Sequence, residues 1–345
     1  MSAKTGIAIL GAGRWGTHLV RNFLNRPDAQ LLAIVDPELD RLETLRDRFE
    51  IAPEVTLTTD WSHVRQHPQL EAVAIATPAS THYDLISDAL NLGYHVLAEK
   101  PLTLDPDRSE ELCRLAQQQQ RQLFVDHTYL FHPAVKRGQQ AIAEGIIGTP
   151  RYGYATRTHL APVRTDVDAL WDLAIHDLAI FNTWLGQVPT QVEARGRTWL
   201  QPDANSLVGG KELADLVWVT LRYPDGFEAT IHLCWFNPDK QRRLGVVGSQ
   251  GTLVFDEMQS DCPLTAYYGR MERQGDRWVP VGQHREAIEV EAAEPLRQMC
   301  DRFLDSVRSR QVSPISSGWV GAKFVRILTA ISDSMRQGGR AIEIS

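Results

Sequence analysis

Asp172 and His176 stand four residues apart in a stretch, 171–185, whose apolar spacing predicts a helix. On one helical face an imidazole beside a carboxylate is held in one tautomer and becomes a better base, suited to taking a proton from an alcohol near neutral pH. Spacing alone favours a plainer reading, a helix-capping aspartate and a hydrogen-bonded, partly buried histidine. Lys100 is the second candidate: it follows the predicted strand 95–98, at the edge where open α/β sheets bind ligands, and Pro101 fixes the backbone behind it. A lysine there can polarise an oxygen on which negative charge develops, serve as the base if desolvation lowers its pKa, or be a solvated charge. Base, polariser and a rigid hydride acceptor are what oxidation of a secondary alcohol requires.

A place for that acceptor lies near the N-terminus. Gly11-Ala12-Gly13-Arg14-Trp15-Gly16 follows the predicted strand 6–10 and opens the predicted helix 14–25. Such glycines permit a tight turn and close approach of a pyrophosphate, and the helix start offers free N–H groups and a positive dipole end. Asp36 ends the predicted strand 31–36, 20 residues after Gly16, where a carboxylate accepts hydrogen bonds from ribose hydroxyls and repels a 2′-phosphate. The alternative is an ordinary strand-to-helix turn with Asp36 capping a helix ahead of Pro37. Pro37 and Glu38 occupy positions where NADP would need a cation, and Arg41 is the nearest one, so NAD is the expected cofactor.

The elements that must position these groups fall into two textures. Predicted strands 6–10, 31–36, 72–76, 95–98 and 123–126 alternate with predicted helices 14–25, 38–50, 82–92 and 105–120, a doubly wound parallel sheet. After a predicted helix at 132–144 and a Gly/Pro boundary at 145–150, strands are expected at 151–159, 191–198, 216–223, 227–233, 243–247 and 252–255, with a hairpin turn at Tyr223-Pro224-Asp225-Gly226-Phe227. Helices at 171–185, 294–308 and 318–337 complete the reading. The expected fold is α/β: a Rossmann domain over 1–125, and over 126–345 an α+β domain with a large, predominantly antiparallel open sheet for substrate, catalysis and oligomerisation.

At 345 residues two domains are natural, and 43% hydrophobic with 23% charged residues suits a globular chain. A net charge of −7 without a long basic run gives no footprint for nucleic acid. Four scattered cysteines, Cys113, Cys234, Cys262 and Cys300, lack metal spacing and are expected to be reduced. No bound metal is expected; the alternative is a site formed by His159, Asp172 and His176. No leader or membrane-spanning run is apparent, so the expectation is a cytoplasmic protein.

Ala76-Thr77-Pro78-Ala79-Ser80-Thr81-His82 and the run from Gly93 through Glu99-Lys100-Pro101 complete a pattern that resembles the glucose–fructose oxidoreductase, inositol dehydrogenase and MocA (Gfo/Idh/MocA) family. The segment from Thr158 to Asp177 is similar to one branch, which oxidises C3 of UDP-N-acetylglucosamine-type sugars, usually the uronic acid. The run from Asp126 to Pro133 is similar too, but the branch begins it with Gly and ends it with Asn-Pro, whereas this chain has Asp126 and His132. The resemblance implies cofactor contacts from Gly11, Gly13, Arg14, Trp15, Gly16, Asp36, Thr77, Pro78, His82, Glu99 and Lys100, often with a cis Lys–Pro bond. It implies His176 as base, Asp172 as its orienting partner and Lys100 as stabiliser of the alkoxide. Substrate contacts are expected from His127, Tyr129, Arg164, Asp172 and His176, with a core-lining role equally open to His127 and Tyr129. Arg157 and Arg164 could bind a diphosphate or carboxylate, and a surface salt bridge is the favoured reading for Arg157. A free polyol or inositol-type substrate, or a non-catalytic NAD-binding regulator, are the alternatives. Family members pair their second-domain sheets, so a homodimer or homotetramer is expected.

Overall fold

A computed structural model describes residues 4–24, 26–160, 162–202, 207 and 213–344. Asn25, the last residue of the predicted helix 14–25, lies outside them. The chain forms two compact units, residues 1–128 with 294–325 and residues 129–293 with 326–345.

In the first unit, short aliphatic runs become strands buried on both faces, as a parallel sheet between helices demands. In chain order these are β1 (Thr5–Leu10), α1 (Arg14–Leu24), β2 (Ala29–Val35), α2 (Leu39–Phe49), β3 (Thr56–Thr58), β4 (Ala72–Ile75), α3 (His82–Asn91), β5 (His95–Glu99), α4 (Pro106–Gln118) and β6 (Leu123–Asp126). Among the described residues the sheet is six-stranded, β3-β2-β1-β4-β5-β6, and parallel throughout. Every residue of β1 is buried, and α1 turns Leu19, Val20 and Phe23 inward. Asp105 caps α4 by accepting from the N–H groups of Asp107 and Arg108.

The second unit contains α5 (Pro133–Ala143), β7 (Pro150–Leu160), α6 (Ile175–Leu185), β8 (Gln191–Arg197), β9 (Leu216–Arg222), β10 (Glu228–Cys234), β11 (Phe236–Gly248), β12 (Gly251–Asp256), β13 (Leu264–Gln274) and β14 (Arg277–Ala287). The chain continues through α7 (Pro295–Ser309) and α8 (Gly318–Arg336) to β15 (Ile342–Glu343). The described sheet is nine-stranded, β14-β13-β12-β11-β7-β10-β9-β8-β15, antiparallel except for the β7–β10 pair. The hairpin at 223–227 joins β9 to β10, with Gly226 at φ +85°. His132 caps α5, its Nδ1 accepting from Ala134 N at 3.1 Å.

Residues 294–325 pack with the first unit, whereas a division at 126 assigns them to the second. The apolar stripe of α7, Leu296, Met299, Cys300, Phe303, Leu304 and Val307, explains this. Phe303 meets Phe124 of β6 edge-on at 5.8 Å, and Arg26 pairs with Asp301. Beyond α7, Ser316 and Ser317 run along β6: Val125 N donates to Ser316 O at 2.9 Å and Ser316 Oγ to Val125 O at 2.6 Å.

Candidate active site

The glycine turn leads from β1 into α1, and its three glycines do different things. Gly11 has φ +98°, and a Cβ there would lie 2.5 Å from Ala76 O; a Cβ on Gly16 would lie 1.8 Å from Gly11 O. A Cβ on Gly13 would meet nothing within 4 Å, so the turn is open at the start of α1, where a pyrophosphate can reach unpaired N–H groups. Asp36 follows β2, is 3% exposed, and closes the turn by accepting from Ala12 N at 2.7 Å through Oδ2. Its Oδ1 accepts from Glu38 N at 2.9 Å. Asp36 does not cap α2, whose N-cap is Glu38. Open space at Gly13 and a carboxylate one residue beyond β2 fit an adenosine dinucleotide.

Along the same C-terminal edge, Thr77 and Pro78 follow β4 and Lys100 follows β5. The Lys100–Pro101 bond is cis. His82 is 1% exposed, with Nδ1 2.8 Å from Pro101 O and Nε2 3.0 Å from Thr77 O. It therefore ties the Thr77 loop to the Lys100 loop through main-chain oxygens. Trp15, in the glycine turn, donates from Nε1 to Asp126 Oδ2 at 2.8 Å.

His127, expected at the substrate, is buried against Phe324 with ring centroids 4.7 Å apart. Burial, with help from Lys100, pushes its pKa down to about 3, and burial brings His95 down to about 4 from an ordinary 6.5. The native state thus refuses protons that the unfolded chain accepts. Their contribution to stability is whole above pH 6.5 and is lost as pH falls towards these values. His127→Leu should flatten the acid limb of unfolding free energy against pH, measured by urea denaturation; an unaltered limb would show that this imidazole is not held neutral.

In the second unit, the predicted helix 171–185 is two structures. Residues 170–174 form a π-helical turn, and α6 starts at Ile175. The buried Asp168 carboxylate holds the entry, Oδ1 accepting from Trp171 N at 3.1 Å. Asp172 therefore sits in the widened turn and His176 in the first turn of α6, which changes the simple four-residue spacing. Single π turns of this kind recur at functional sites. Asp172 Oδ2 accepts from Trp235 Nε1 at 3.2 Å, and Oδ1 lies 3.6 Å from Arg164 Nη1. Arg164 forks onto Asp166 at 2.9 and 2.6 Å, so much of its donor capacity is already used. The His176 ring rests on Tyr129 at 4.8 Å between centroids.

Tyr129 belongs to a polar network that sequence reasoning missed. Its hydroxyl donates to Glu257 and accepts from Arg157 Nη1 at 2.9 Å. Arg157 is not at the surface: it is 3% exposed and donates from Nε and Nη2 to the Asp177 carboxylate, both at 3.0 Å. A buried arginine demands a carboxylate, and Asp177 faces β7 from the helix that carries His176. Trp235 and Glu257 carry no motif and lie far from Asp172 and Tyr129 in sequence. Among the described residues no group of three or more His, Cys, Asp or Glu side chains is placed to hold a metal, and no helix is long and apolar enough to cross a membrane.

A parallel sheet with an open glycine turn after β1, an acid after β2 and a lysine after β5 defines a dinucleotide-dependent oxidoreductase. The chain belongs to the Gfo/Idh/MocA family: residues 5–127 match its NAD-binding Rossmann fold and residues 135–254 its C-terminal domain. The UDP-N-acetylglucosamine 3-dehydrogenase of Acidithiobacillus ferrooxidans is 32% identical over 196 residues, 56% of this chain and 58% of that enzyme. The scyllo-inositol 2-dehydrogenase (NAD(+)) of Bacillus subtilis is 32% identical over 209 residues, 59% of this chain and 60% of that enzyme. A crystal structure assigned to an oxidoreductase from Magnetospirillum magnetotacticum superposes with a TM-score of 0.77 at 31% identity, covering 95% of this chain and 100% of that one. The protein is an NAD-dependent oxidoreductase of the sugar and polyol dehydrogenase class, acting on CH–OH groups.

Proposed function

We propose that the alcohol is a ring hydroxyl of a nucleotide sugar or its uronic acid, at C3. Support comes from the likeness of residues 158–177 to the branch with that chemistry, and from the identity to a UDP-N-acetylglucosamine 3-dehydrogenase. The observation that carries catalysis is the π turn, which sets Asp172 between Trp235 and Arg164 just before His176. Gly11, Gly13 and Gly16 shape the cofactor turn, with Arg14 and Trp15 at the start of α1 beside it. Asp36 takes the adenosine ribose, while Thr77, Pro78, Glu99 and Lys100 line the edge towards the nicotinamide. Bound NAD supplies the hydride acceptor. His176 takes the hydroxyl proton, Asp172 orients its imidazole, and Lys100 stabilises the oxygen as the ketone forms. Arg164, held by Asp166, is the cation for a carboxylate or diphosphate, and Tyr129 supports the base.

A free polyol is the second reading, favoured by the equal identity to the scyllo-inositol enzyme. Nicotinamide absorbance during turnover with UDP-sugars, uronic acids and polyols separates them: turnover confined to polyols removes the nucleotide sugar. In Asp36→Ser the shorter side chain no longer reaches the ribose and no longer repels a 2′-phosphate. KM for NAD should rise by about ten- to a hundredfold, the worth of a charged hydrogen bond, while use of NADP improves. Unchanged KM values for both cofactors would take Asp36 out of ribose recognition. Exposed Tyr152, Trp218 and Trp278 on the large sheet support pairing of two or four copies through it. A single-chain mass by light scattering would exclude that assembly.

A further inference from the structure

Asp126, one of the two departures from the branch pattern, ends β6 directly beside Glu99, which ends β5; the two residues are partners in the parallel register. Asp126 is 2% exposed, and Glu99 Oε1 is shut off from solvent without a hydrogen-bond partner. As register partners the two side chains leave the sheet on the same side, and two neighbouring buried carboxyl groups are accommodated when one of them carries a proton that the other accepts. Their other partners decide which. Asp126 accepts from Trp15 Nε1 at 2.8 Å and from Thr128 Oγ1 at 2.7 Å, and two donors favour its ionised form. Glu99 Oε2 accepts a long contact from Lys100 N at 3.3 Å, and its Oε1 is the buried oxygen that lacks a donor among the described residues. A proton on Glu99, directed at Asp126, satisfies both groups.

We propose that Glu99 and Asp126 share a single proton and act as a positioning pair for Lys100. With one acid, one carboxylate and one ammonium the set is neutral, so Lys100 is balanced without a second negative charge that would oppose an alkoxide forming at its tip. Burial first, and then the Asp126 charge, pushes Glu99 well above the usual carboxylate range; burial also raises Asp126. Of the neighbouring groups, Cys300 of α7 is kept a thiol by burial, His127 beside Lys100 is kept neutral, and the charges that α7 and the loop before β2 bring near Cys300 include Arg26 paired with Asp301. The Trp15 bond links this pair to the cofactor turn.

The catalytic role rests on the proposed part of Lys100 in hydride transfer; the shared proton does not. Infrared spectroscopy of the full-length enzyme at pH 8, without substrate, should therefore contain a buried carboxylic-acid C=O band that shifts in D2O. Asp168, which burial pushes up to about 6, is largely ionised there. Glu99→Gln and Asp126→Asn should each abolish the band, and should move the alkaline limb of kcat by at least about one pH unit, because neither has a last proton to lose. Two substitutions guard against one failing to fold. A wild-type enzyme without the band, or a band surviving in both variants, overturns the shared proton. A band that behaves as expected with coincident alkaline limbs in all three proteins overturns the action through Lys100. If the sugar reading alone is wrong, the band and its loss persist.

Discussion

Replacing His176 with Asn lowers kcat by about 10²- to 10⁴-fold, the range that a positioned general base contributes, while KM changes only a few-fold. Asparagine is close in size and can rest on the Tyr129 ring, so binding survives while proton removal does not. The pH profile adds a second readout, because the acidic limb due to imidazole protonation disappears with the side chain. Steady-state kinetics with a turned-over sugar or polyol decides the matter. Retained turnover in this variant, with loss in Lys100→Met, would transfer the role of base to Lys100.

The second large effect is on stability. Asp177→Ala strands the Arg157 guanidinium in the interior, where among the described residues it keeps a bond to the Tyr129 hydroxyl at 2.9 Å and the Glu257 carboxylate as a longer ion-pair partner at 3.8 Å. An uncompensated buried charge costs about 3–5 kcal/mol, and urea denaturation of the intact protein reads it. The double variant Arg157→Met with Asp177→Leu removes both charges and should recover most of that loss, since a buried ion pair contributes little over an apolar replacement. A loss below about 1 kcal/mol for Asp177→Ala, the value of an exposed pair, would mean that water reaches Arg157. Because Arg157 also lies 4.8 Å from the Tyr129 ring that supports His176, the single variant should lower kcat as well.

The contrast between these two residues marks what could be read from sequence. The glycine turn is legible in local pattern, His176 and Lys100 are singled out only with the help of the family resemblance, and the aliphatic runs of β1, β2, β4, β5 and β6 stand out because both faces of a parallel sheet are buried. Arg157 and Asp177 are separated by 20 residues, and nothing local distinguishes a buried guanidinium from a solvated one. The π turn at 170–174 leaves no trace in apolar spacing, which differs little between i+4 and i+5 over one turn. Strand β14 escaped because most of it is exposed, and β13 because its buried alternation, Leu264 and Ala266, ends after two residues. β3 is three residues long. The stripe of α7 was legible as an amphipathic helix, but a stripe declares that a face is buried without naming its partner.

That partner gives the chain an order of assembly. β6 is the last strand of the parallel sheet, and the chain covering it, residues 316 and 317, is made after residues 129–293 of the second unit. While a ribosome is still building the large sheet, the nucleotide-binding unit has an open flank, with Phe124 waiting for Phe303 and Val125 for Ser316. An open strand edge is a template for foreign strands. The dinucleotide-binding unit is complete only once residues 294–325 have been made.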